Sequence, residues 1–197
     1  MMANEYTYGT LKQNLIDGLS KKEFIYSKAL TVILFALLST VFIFIMSLIL
    51  GYSFSSYTET GIVFSEMEYL LAYFIKLVGF FSFCLFLGIL VKRSAFALGF
   101  LVLWFLVEKI SYGIFKFELF NRSETVDTVY RFFPLESMSN LVVEPFTRLS
   151  VIKSIQSAIG DTSVKEYSIH FSSILIVMVW FILFIYSSYL IIKKRDL

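Results

Sequence analysis

Thirty consecutive uncharged residues, Ala29 to Thr58, follow directly on a polar segment, NEYTYGTLKQNLIDGLSKKEFIYSK, at residues 4–28. A run this long crosses hydrocarbon about 30 Å thick as a helix, because roughly 20 residues suffice and a helix satisfies its own backbone polar groups. It is about twice the length of a signal-peptide core, and no small-residue cleavage pattern follows it. It reads as a retained span welded to a polar, amphipathic element.

Three further stretches are long enough to cross: Tyr69 to Val91, Ser94 to Phe115, and Phe171 to Ile192. A mean hydropathy of +0.79, with 58% hydrophobic and 16% charged residues, is more apolar surface than a soluble domain of this size can hide. The expected fold is therefore an all-α membrane protein with four transmembrane helices, at about 29–52, 69–91, 94–115 and 171–192. An amphipathic segment at 1–28 precedes the transmembrane domain at 29–197. An outer loop at 116–170, partly helical, separates the third and fourth spans.

Charge sets the expected orientation. Lys12, Lys21, Lys22 and Lys28 precede the first span, Lys92 and Arg93 join the second to the third, and Lys193, Lys194 and Arg195 follow the last. With four spans all three groups fall on one side, the cytoplasmic side by the bias of short basic flanks. The opposite loop, Ser53 to Glu68, holds Glu59, Glu66 and Glu68 and neither Lys nor Arg. Both termini are expected to be cytoplasmic, in a multi-pass plasma-membrane protein of the bacterial inner-membrane type.

The polar segment parses as helix, turn, helix. Thr10 and Gln13 have capping-box spacing, as do Ser20 and Glu23. Leu11, Leu15 and Leu19, with Tyr8 just before, form an apolar stripe at helical spacing. Gly18 is placed to end the first helix in a left-handed conformation. Periodicity alone fits an interfacial anchor as well as a docking element.

This segment resembles the coupling-helix region of permeases of the ABC-2 exporter family. The matching positions are Glu5, Gly9, Thr10, Gly18, Ser20, Lys21 and Lys28, with Leu11 and Leu15 as the apolar face between them. The ending YLIIKKRDL is similar to the family's basic tail. The resemblance covers the coupling segment, four spans and a long outer loop. The chain departs from the pattern in having Gly18 and Lys21 where the family's turn usually carries Pro and Arg. Family members also usually have two spans before the coupling segment, whereas this chain starts at Met1 almost on the motif. The start is then truncated, or another chain supplies those spans, or this is a remnant.

The resemblance implies a permease subunit of an ATP-driven exporter. Separate ABC ATPase subunits would bind the ATP, and a second permease subunit, identical or a sister chain, would complete the pathway. The coupling residues would be Glu5, Gly9, Thr10, Leu11, Leu15, Gly18, Ser20 and Lys21. The alternative is a non-transporting scaffold or permease remnant that docks a soluble cytoplasmic partner through residues 5–25. Few intramembrane polar groups favour a bulky or amphipathic cargo over an ion.

Enzymatic readings fail on inventory. There is one histidine, His170, and one cysteine, Cys84, too few for a typical zinc site. No Gly-x-Ser-x-Gly or Walker A sequence occurs, so no cofactor is expected in this chain. The basic residues are membrane flanks, which gives no support to nucleic-acid binding. Cys84 lies in a span and reads as a small packing residue.

Two charges fall inside spans. Lys76 lies 16 residues before Lys92, and Glu108 lies 15 residues after Arg93. In an antiparallel hairpin that spacing puts them at equal depth, roughly 10 Å below the outer surface at ~1.5 Å per residue. An intramembrane ion pair, Lys76 with Glu108, is the expectation. A snorkelling Lys76, or Lys109 as a partner, are the alternatives. In the outer loop, Leu149, Ile152, Ile155 and Ile159 fit one face of a further helix ending at Gly160–Asp161, in either a re-entrant element or a small self-packed cap.

Overall fold

The computed structural model describes residues 2–54, 61, 64, 66–116, 124–142 and 168–195. In chain order the helices are α1 (Met2–Thr7), α2 (Thr10–Ile16), α3 (Lys21–Phe54), α4 (Glu68–Val91), α5 (Ser94–Ile114), α6 (Glu124–Tyr130), α7 (Pro134–Ser139) and α8 (Phe171–Lys194). Helices α3, α4, α5 and α8 are long and apolar enough to cross a membrane. They coincide with the four expected spans, and the described residues form no strand. The chain has the architecture of a multi-pass, all-helical membrane protein.

Helix α4 is the hub. It packs against α3, α5 and α8, and also against α1 and α7. Of its most apolar stretch 44% is buried, against 6% for α5. Its small residues let neighbours approach: a Cβ on Gly79 would stand 2.7 Å from Val177 Cγ1 of α8 and 3.2 Å from Met138 Cε of α7. Since hydrocarbon offers no hydrophobic drive between helices, such close packing is what holds membrane bundles together.

The core divides between the two ends of the bundle. At the basic end Met2, Leu11, Phe24, Ile25, Leu85, Ile89 and Ile192 cluster. Towards the other end Ala72, Ile75, Phe83, Met138, Leu141, Val177 and Phe184 cluster. Two short helices, α6 and α7, lie between α5 and α8 in the chain, and α7 contributes to the second core. The expected helix through Leu149 to Ile159 lies outside the described residues, as does Pro145.

Candidate functional site

The residues singled out in the polar segment form a compact junction at the basic end of the bundle. Gly9 precedes α2 with φ +69°, a left-handed conformation that L side chains rarely adopt. Its carbonyl accepts from Gln13 N–H at 3.1 Å. Helix α2 begins at Thr10 as the spacing predicts, but the expected Thr10–Gln13 capping box does not form. Thr10 Oγ1 donates instead to Glu5 Oε2 at 2.6 Å. The competing acceptor is a carboxylate, and charge-assisted bonds are the stronger ones.

Glu5 also takes an ion pair from Lys28 of α3, with the two side chains only 16% and 13% exposed. Burial pushes the Glu5 carboxyl up, but hydrogen bonds from Lys28 and Thr10, with the Lys28 charge, outweigh it and hold the group below its ordinary value. Three motif residues distant in sequence thus meet at one carboxylate.

The end of α2 follows the expected chemistry. Gly18 has φ +102°. Its N–H donates to Leu15 O at 3.3 Å, and Leu19 N–H donates to Asn14 O at 3.0 Å. These two bonds are the Schellman pattern that satisfies carbonyls at a helix end. The second capping box forms fully: Ser20 N–H and Oγ donate to Glu23 Oε2 at 2.9 and 2.7 Å, and Glu23 N–H donates to Ser20 Oγ at 3.2 Å. Lys21 reaches the far end of the chain, donating to Arg195 O at 2.8 Å and Lys193 O at 3.4 Å.

The apolar stripe is shorter than expected. Leu11 is buried, and Leu15 packs against the same core. Tyr8 is 77% exposed and Leu19 37% exposed. The left-handed turns at Gly9 and Gly18 redirect the chain on both sides of α2, so helical spacing does not extend to either residue. On the opposite side of α2, Lys12, Gln13 and Ile16 are exposed, Ile16 by 76%.

Arg195 is the residue that sequence reasoning missed. Its guanidinium donates to Ile89 O at 2.6 Å, Leu90 O at 3.0 Å and Tyr6 Oη at 3.0 Å. One side chain thereby fastens α1 and the end of α8 to the last carbonyls of α4. Burial pushes the Tyr6 phenol up, against the opposing pull of Arg195. The only advance signal was a basic residue just after the last span, which charge bias already explained.

The intramembrane charges need a correction. Glu108, only 4% exposed, is not paired with Lys76 in the described residues. It accepts from Trp104 Nε1 at 2.7 Å and from the backbone N–H groups of Leu135 and Glu136 at 3.3 and 3.1 Å. Lys76 donates to Val142 O at 3.4 Å and Ser139 O at 3.5 Å. Lys109 pairs with Glu136 at 2.7 Å. The cause is α7, which sits against α4, α5 and α8. Its open N-terminal amides and C-terminal carbonyls supply polar partners inside the bundle. Lys76, Glu108, Lys109 and Glu136 all border one cavity of about 300 Å³ beside this helix.

A family profile described as "Protein of unknown function (DUF2705)" matches residues 1–197. The chain belongs to the DUF2705 family. No curated protein and no solved structure matches this DUF2705 chain.

Proposed function

We propose that the chain is the membrane-spanning permease subunit of an ATP-driven exporter, working with a separate ATPase that docks on α2. One observation carries this reading: α2 is fixed to the spans on one side and exposed on the other. Its fixed side is buried Leu11 together with the Thr10–Glu5–Lys28 contacts. Its open side presents Ile16, with Lys12 and Gln13.

An element built this way passes a push from a soluble partner to several spans at once. Lys28 connects the segment to α3, Arg195 connects it to α4, and Lys21 connects it to α8. In this reading α2 faces the cytoplasm of a bacterial-type plasma membrane. A second permease chain completes the pathway, and the cargo is bulky or amphipathic.

Purification from native membranes under mild detergent tests the assignment. A partner carrying Walker A and ABC signature sequences, in fixed ratio to this chain, is expected. A partner without nucleotide-binding sequences, held through the same surface, would make the chain a scaffold instead.

A further inference from the structure

We infer that a lateral groove between α3 and α5 binds an acyl chain of an anionic phospholipid from the leaflet on the basic side of the bundle. Helices α3 and α5 each pack on α4 and leave a cavity of about 420 Å³ between them. Phe35, Cys84, Gly88, Ala97, Leu98 and Leu101 are among its walls. Thr31 and Ser94 also line it, and Thr31 Oγ1 donates to Ser27 O at 2.8 Å. A site this apolar gives water few partners and suits a hydrocarbon chain.

Position fixes the leaflet. Gly88 lies four residues before Lys92 and Ala97 four residues after Arg93, or about 6 Å along a helix at ~1.5 Å per residue. Met2, 3% exposed, covers Gly88, where a Cβ would stand 3.1 Å from Met2 Cβ. The amphipathic segment therefore walls off the groove beneath α1, while α3 and α5 open it sideways.

Charge fixes the headgroup. Lys92 and Arg93 are exposed at the turn between α4 and α5. Neither forms an ion pair among the described residues. Lys92 Nζ lies 5.9 Å from the Tyr6 ring, so one of the two cations is held next to α1. Between Leu85 and Val107 the sequence has no acidic residue to neutralise them. Two cations at headgroup level above an apolar channel match a phosphate with a net negative charge rather than a zwitterion. The inference does not depend on the transport reading.

Photocrosslinking of the full chain in phosphatidylcholine nanodiscs tests it. The probe is phosphatidylglycerol with a diazirine at mid-chain, compared with the phosphatidylcholine probe of the same chain. Labelling of peptides covering residues 31–35, 84–88 and 97–101 is expected to favour the anionic probe by roughly thirtyfold, the scale two interfacial cations provide. Lys92→Asn with Arg93→Gln is expected to remove that preference while chain labelling persists. Asn suits the left-handed backbone at Lys92, φ +64°. Ala97→Trp is expected to fill the groove and abolish labelling there, with labelling of the α8 surface as the folding control. Equal labelling of the groove by both probes would overturn the inference. So would groove residues that crosslink to a second copy and not to lipid.

Discussion

Glu108 and Lys76 hold opposite ends of one short helix. The Glu108 carboxylate receives the first amides of α7, and the Lys76 ammonium donates to carbonyls at and beyond its last turn. An anion at a helix N-terminus and a cation at its C-terminus are each on the favourable side of the backbone dipole. The two charges thus act through α7, at the depth where a direct ion pair was expected.

A charge exchange separates the two arrangements. A direct pair would be restored by Lys76→Glu combined with Glu108→Lys. Helix-end binding would not, since each charge would then face the wrong end of α7. The double variant is expected to be no more stable than the worse single variant. Glu108→Leu strands the amides of Leu135 and Glu136 and should cost about 1–3 kcal/mol. Thermal unfolding of the purified chain in detergent measures both; recovery in the double variant would restore the ion pair.

Gly79 tests the packing of the hub. A Cβ there meets Val177 at 2.7 Å, too close for any real side chain. Gly79→Ala should destabilise by about 1–3 kcal/mol through overpacking. Val177→Ala opens space at the same contact and is expected to recover part of that loss in the double variant. An unchanged melting temperature for Gly79→Ala would contradict the close approach of α4 and α8.

Glu5 gives the junction a pH dependence of definite sign. Its carboxyl lies below the ordinary value of 4.5 in the folded chain. Its contribution is therefore fully present above that ordinary value and is lost as pH falls through the lower, folded-state one. Protection of residues 5–18 against hydrogen exchange, taken relative to the intrinsic amide rate at each pH, should be high at about pH 7 and should fall as the Glu5 carboxylate becomes protonated. Glu5→Gln should show low protection throughout that range, with little further change.

Arg195 should be irreplaceable by Lys. Its planar fork reaches three acceptors on two elements, which a single ammonium cannot match. Limited proteolysis near Tyr8 should accelerate in both Arg195→Lys and Arg195→Ala. Protection retained in Arg195→Lys would reduce its role to charge alone.

The spans were legible because their signal is length and apolarity, which need no neighbour. The Gly18 turn and the Ser20–Glu23 box were legible because their partners lie within a few residues. Glu108 was not legible in its true role. Besides Trp104, four residues before it, its partners are 27 and 28 residues away, on a helix whose position depends on Gly79 and Val177. Thr10 shows the same limit on a smaller scale, since a carboxylate held in place by Lys28 outcompetes the local cap.

The most direct test of the proposed function is ATP turnover by the complex purified with this chain, compared between the unaltered chain and Ile16→Asp. Ile16 is 76% exposed, so the substitution should leave the bundle and its abundance unchanged while charging the open side of α2. Chain-dependent stimulation of turnover is expected to disappear in Ile16→Asp. Full stimulation by that variant, at equal amounts of both chains, would contradict coupling through α2.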